Sequence, residues 1–285
     1  MASNPLRQFE VNPTVYHYCS MESFVSIVKN AELWLSRVDY TNDKYEMKYV
    51  NKCVCDIAEE LAKDGSISEK QKNNYLSLYS DDDWYDKPFI GCFSERGDIL
   101  SQWRLYADDA KGVSIGFSVN ALVSLNAIEE SLSIVQPGYV RYKVEYVDDV
   151  KQDCIKKELI ERSKEFNGDR ITINDVIRFK QNDYGKSDHF KYEEEYRILY
   201  QPKQVKLDST KMRLIAGEDF YRDPRLDYRA CNGKLVPYWK MPINGCIAEV
   251  ILGTKCNANP ADLQWFLYKY GFGEIDVKRS KAPYQ

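Results

Sequence analysis

A chain of 285 residues with net charge −4, 44% hydrophobic and 29% charged residues has the make-up of a globular protein with a sizeable core. It has no extended basic run, which argues against passive binding to a nucleic-acid backbone, and its 2 histidines are too few for a multi-histidine metal centre. No stretch approaches the roughly 18 apolar residues of a spanning helix, the N-terminus is polar, and the 8 cysteines include no C-x-x-C pair, so a reducing cytoplasm is expected, with no membrane partner.

T-V-Y-H-Y at 14–18 reads as a short strand. Ser20 can cap the helix that follows, in which Met21, Phe24, Ile27 and Val28 recur at helical spacing, and Asn30 is a stop. E-L-W-L-S is a second strand. Helices are predicted over 43–63 and 68–79, broken by D-G-S at 64–66, with a surface loop at 81–88. P-F-I-G-C-F-S is a strand, the segment to Ala107 carries a short helix, and K-G-V-S-I-G-F-S is another strand. Residues 120–132 read as helix, Y-V-R-Y-K-V-E-Y-V as one alternating strand, and 148–186 as two polar helical pieces. F-K-Y-E-E-E-Y-R-I-L-Y is then a strand, and the tail holds a β-α-β. The irregular order of strands and helices predicts a single α+β domain over 1–285, with a largely helical insertion at 120–188 and a C-terminal β-α-β elaboration at 240–285.

No phosphate-loop, dinucleotide glycine, zinc-protease or nucleophile-elbow motif is present. The remaining candidates are His17, the aromatic run holding Phe93, Trp103 and Tyr106, and the glutamates of E-E-E-Y-R. Each has a plain alternative: a satisfied strand-end histidine, core aromatics, a solvated strand end. Strand geometry would put Glu193 and Glu195 on one face and Glu194 with Tyr196 on the other. Two carboxylates on an apolar-facing side are costly unless they serve a ligand. A metal-dependent nuclease built on the pair is one reading, although Arg197 stands where lysine is usual.

The motifs Y-H-Y-C-S-M-E-S-F, L-W-L-S-x5-N-D-x2-E, F-I-G-C-F-S-E-x2-D-x2-S-Q-W-R-x-Y-A and E-x-E-Y-R, with A-E-V-I-L-G near the end, resemble a bacterial family called domain of unknown function 2971. Their order resembles the ADP-ribosyltransferase fold, particularly the His-Tyr-Glu branch that includes the poly-ADP-ribose polymerases and DarT. The resemblance implies a split, cleft-forming mixed sheet that holds the strands near 15–18, 89–94, 112–117 and 193–200. It implies NAD as substrate, with no metal, and cleavage of the nicotinamide–ribose bond. His17 would bond the adenine-side ribose and the Tyr18 backbone the nicotinamide amide. Cys19 stands where the family tends to have Thr or Ser, with Ser20 as the alternative hydroxyl. Phe93 and Ser94 correspond to the middle strand, Ser101 and Tyr106 would approach the nicotinamide, and Tyr106 or Trp103 would stack on it. Glu195 would be the catalytic carboxylate, with Glu193 beside it. The acceptor would be a protein, a nucleic-acid base or water. A defence or toxin-type effector is the implied role, with an antitoxin or regulatory protein as a further partner. An inactive nucleotide- or protein-binding module of the same fold is the alternative.

Overall fold

The structure, a computed structural model, describes residues 13–41, 48–80, 87–130, 138–165, 185–208 and 213–284. The chain opens with β1 (Thr14–Cys19), α1 (Met21–Asn30) and β2 (Glu32–Arg37). Ser20 caps α1 by accepting from the Ser23 N–H, and Phe24, Ile27 and Val28 form its buried stripe. The helix ends at Ala31, in the left-handed region at φ 51°, whose N–H returns to the Ile27 and Val28 carbonyls. β3 (Phe89–Ser94), α4 (Leu100–Tyr106), β4 (Val113–Ser118) and α5 (Val119–Asn126) follow, then β5 (Glu129–Glu130) and β6 (Gly138–Lys143). Later strands are β9 (Glu195–Gln201), β12 (Leu226–Cys231), β13 (Lys234–Pro242), β14 (Ile247–Leu252) and β15 (Asp276–Arg279).

Among the described residues, eleven strands form one mixed sheet in the order β12-β13-β2-β3-β1-β4-β14-β15, with β9 added to β3, β6 to β9 and β5 to β6. The fold is therefore α+β, and β1, β3, β4 and β9 share this sheet. One edge of β3 pairs with β9 along its whole length, from Phe89↔Tyr200 to Ser94↔Glu195. The other edge is divided. β2 takes Phe89 and Ile90, and β1 takes Ser94. Gly91, Cys92 and Phe93 lie between them, and there the sheet splits. β1 and β2 both run antiparallel to β3, so β1-α1-β2 is a crossover with β3 wedged into its gap.

One face of the sheet packs under α1, α5 and α8 (Pro260–Lys269). Its core includes Leu35, Phe93, Ile115, Phe117, Trp239 and Met241. A second cluster joins α2 (Tyr49–Lys63), α3 (Glu69–Ser80) and α6 (Asp149–Glu165) through Val54, Ile57, Leu61, Tyr75 and Leu159. Beside it, β7 (Glu145–Val147) pairs in parallel with β8 (Gly185–Ser187), so that Tyr146 faces Lys186. No helix among the described residues is long and apolar enough to cross a membrane.

Several spans differ from the sequence reading. The alternating run at 139–147 is two strands, because Val144 leaves the β6 ladder and donates its N–H to the Glu195 carbonyl. The run from 190 to 200 is a strand only from Glu195; Asp188–Glu193 form a 3-10 helix. The stretch 120–188 holds α5 and α6 but also β6, which joins the main sheet, while 166–184 and the start of the helix expected at 43 lie outside the described residues. β14, α8 and β15 make a β-α-β whose strands are parallel, and β14 pairs with β4. β10 (Gln204–Asp208), β11 (Arg213–Ala216), α7 (Glu218–Tyr221) and the β12–β13 hairpin fall where no element was predicted.

The C-terminal tail fastens α4. Asp98 accepts from the Trp103 indole N–H at 2.7 Å, from the Lys281 backbone at 2.8 Å and from the Ser280 hydroxyl. Tyr284 donates to Asp109, and Lys255 lies over its ring at 3.9 Å. Asp98→Ala should lower stability by about 2–3 kcal/mol, because the indole N–H of a fully buried tryptophan loses its acceptor. Urea denaturation checks this, and an unchanged midpoint would show that the tail is dispensable.

Candidate active-site cleft

A cleft of about 680 Å³ opens at the split, within the roughly 300–1,000 Å³ typical of small-molecule sites. His17 stands on its β1 side. At the split, the Cys92 carbonyl is met by His17 Nδ1 at 3.2 Å instead of by a neighbouring strand. A carbonyl can only accept, so Nδ1 carries the proton. Burial lowers the imidazole pKa, and the bond to Cys92 opposes this only in part. The neutral ring therefore keeps Nε2 as an acceptor in a residue that lines the cleft. The ring also packs edge-on against Phe93, with centroids 6.0 Å apart.

The carboxylates are set by a turn. Glu193 ends the 3-10 helix, Glu194 takes a left-handed conformation at φ 44°, and Glu195 begins β9. Glu194 is thereby turned outward to Arg96, at 3.0 Å, while Glu193 and Glu195 are each only 4% exposed. Lys186 Nζ bridges this pair, 2.8 Å from Glu193 and 3.3 Å from Glu195. Arg197, with no exposed surface, grips Glu195 in a fork, Nε to Oε1 at 2.8 Å and a terminal nitrogen to Oε2 at 3.0 Å. Burial alone would raise the Glu195 pKa, but Arg197, and after it Lys186, hold it below the usual carboxylate range. The Glu195 N–H donates to the Tyr146 hydroxyl at 2.9 Å. Tyr106 donates to Glu193 at 3.2 Å, and burial, with Glu193 next, raises its pKa, so it stays protonated.

The cleft wall brings together His17, Tyr18, Phe93, Ser94, Tyr106, Glu193 and Glu195 of the predicted set. The others lie elsewhere. Trp103 is 0% exposed, bonded to Asp98 and packed edge-on against Tyr18, so it belongs to the core and not to a stacking wall. Cys19 is a core residue whose thiol burial pushes up to about 12, which leaves no hydroxyl substitute there. Ser20 is occupied as the α1 cap. Ser101 stands on α4 but does not line the cleft; its buried hydroxyl has no partner among the described residues. The Tyr18 hydroxyl donates to the Arg96 carbonyl and accepts from the Ile99 N–H, fastening the approach to α4.

Sequence reasoning missed Lys186, Gln102, Phe190 and the far wall. Phe190 stacks under Lys186, 4.4 Å from the ammonium to the ring centre. The far wall is the β12–β13 hairpin, which turns at Asn232 and Gly233, both at positive φ, and pairs with β2. The dipeptide Asn-Gly is a hairpin signal legible in the sequence. Both central carboxylates already have cationic partners, so a divalent ion would have to compete with Lys186 and Arg197. Among the described residues, no group of three His, Cys, Asp or Glu is placed to hold a metal.

Residues 102–198, about a third of the chain, match the model of a family described as "Protein of unknown function (DUF2971)". That match spans α4 to β9 and so includes Tyr106, Lys186, Glu193 and Glu195, and it supports the resemblance to this family. No curated protein and no solved structure matches the chain.

Proposed function

We propose that the cleft binds NAD and breaks its nicotinamide–ribose bond, as an ADP-ribosyltransferase or NAD glycohydrolase. The observation that carries this reading is the convergence of His17 from β1, Phe93 from β3 and Glu195 from β9 at one split in the sheet. Breaking the C1′–N bond sends its electron pair to the nicotinamide and leaves positive charge on the ribose, as in glycoside cleavage. Glu195, kept ionised by Arg197 and Lys186, meets that charge electrostatically, and its low pKa makes it a poor proton acceptor. Glu193 is the carboxylate left to face the acceptor and take its proton. Neutral His17 suits a ribose hydroxyl, which would donate to Nε2.

A second reading has its own support. Arg197 engages both oxygens of Glu195, a locked arrangement that favours a nucleotide-binding module without turnover. Incubating the protein with NAD and measuring free nicotinamide by chromatography, with and without magnesium, separates the two. Metal-independent release supports the transferase. NAD binding with no release under any acceptor supports the module.

His17→Ala should weaken NAD binding by about 1–3 kcal/mol in calorimetry. Stability should be followed in parallel, because the same change strips the Cys92 carbonyl of its donor. Unchanged affinity would make His17 a purely structural closure of the split.

A further inference from the structure

We propose that Arg229 and Ser36 form an anion subsite that selects ligands bearing phosphate. The inference rests on the reading of this cleft as a nucleotide site, but not on whether the bound ligand is cleaved. Arg229 comes from β12, and its side chain crosses β13 to place a terminal nitrogen 2.8 Å from Ser36 Oγ on β2. Ser36 pairs with Ile90, so the guanidinium sits about one strand spacing, roughly 5 Å, from β3. Both residues line the cleft.

Among the described residues, the two cationic side chains of the lining differ in their partners. Lys186 is neutralised by Glu193 and Glu195. Arg229 has no carboxylate partner among the described residues, whereas Arg37, Arg197 and Arg225 are each held by one at 2.7–2.8 Å. Its Nε is buried with no hydrogen-bond partner among the described residues, and the Tyr238 ring lies 5.9 Å from the guanidinium carbon. A half-buried guanidinium whose buried Nε–H lacks an acceptor carries a cost that an oxyanion at its fork would offset. Ser36 adds to this. Its oxygen accepts from Arg229, which leaves its O–H to donate to the same anion.

The placement also sets the length of the ligand. Glu195 pairs with Ser94, and Ser36 with Ile90. These positions lie two strand spacings apart across the sheet, about 10 Å, and four residues apart along β3, roughly 13 Å. Inorganic phosphate alone would occupy one end only. A nucleoside diphosphate or dinucleotide can place phosphate at Arg229 and a sugar toward Glu195. Trp34, stacked on Tyr238 at 4.3 Å, gives this end of the cleft an aromatic wall.

The test is calorimetry on the full chain with ADP-ribose and adenosine as probes, comparing wild type with Arg229→Gln and Arg229→Lys. Arg229→Gln should weaken ADP-ribose binding about tenfold or more and flatten its salt dependence, leaving adenosine unchanged. Arg229→Lys should fall between, because charge survives without the fork. Thermal unfolding shows whether each variant is folded. Equal ADP-ribose affinity in wild type and a folded Arg229→Gln overturns the subsite. An equal loss for both probes overturns it too, as does a wild type that binds no ADP-ribose. Arg229-dependent binding without nicotinamide release from NAD upholds the subsite while refuting cleavage. Nicotinamide release with the same KM in wild type and Arg229→Gln upholds cleavage and overturns the subsite.

Discussion

Glu195→Gln is expected to cut nicotinamide release by roughly 10²–10³-fold and to lower folding stability by about 3–5 kcal/mol. The two losses have different origins. The first comes from removing the negative charge that the ribosyl cation would feel most in the transition state. The second comes from Arg197, which has no exposed surface and would lose the carboxylate that grips its fork. Because one substitution causes both, a second variant is needed. Glu195→Gln combined with Arg197→Gln removes both charges and should recover part of the stability, but none of the turnover. If the double variant regains turnover with stability, Glu195 is a structural partner of Arg197 and the catalytic assignment fails. The pair also sets an acid limit. Glu195 has a folded pKa below its unfolded value, near 4.3, so its contribution is complete above that pH. It is lost as pH falls through the folded pKa, and urea midpoints measured from pH 6 downward should decline accordingly.

Lys186→Met should destabilise the protein by about 3–5 kcal/mol near pH 8. Its ammonium lies between Glu193 and Glu195, only 6% exposed, and without it two buried carboxylates face each other. Like charges so placed disfavour joint ionisation, so one of the pair would bind a proton more readily than in the unfolded chain. A group with a raised folded pKa contributes stability that is present at low pH and lost as pH rises. The variant should therefore gain stability, relative to wild type, between pH 8 and pH 5.5. A deficit of the same size at both values would mean that Lys186 acts by packing on Phe190 and not by its charge.

The candidate residues were legible one by one, because their signals are local. Short apolar runs mark β1, β3 and β4 as strands, and Ser20 with its following apolar stripe marks α1. Strand alternation was the ground for placing Glu193 and Glu195 on one face, and both do converge on Lys186. The reason differs, however: the left-handed turn at Glu194, and not strand alternation, directs them together. Trp103 shows where local signals run out. Its aromatic run reads as core on residue type alone and as a stacking wall only through the family resemblance, and the Asp98 bond tied down by the C-terminal tail made it core.

Composition and periodicity by themselves determined that this chain builds an α+β fold with strands at the right places to carry His17 and Glu195. Tertiary structure alone decided which elements became neighbours. It set β3 into the gap between β1 and β2, brought Lys186 to the carboxylates through the pairing of β8 with β7, and laid Arg229 across β13 onto Ser36. Periodicity reports which side chains share a face of one element, whereas charge pairing across a cleft depends on the register between elements distant in the chain.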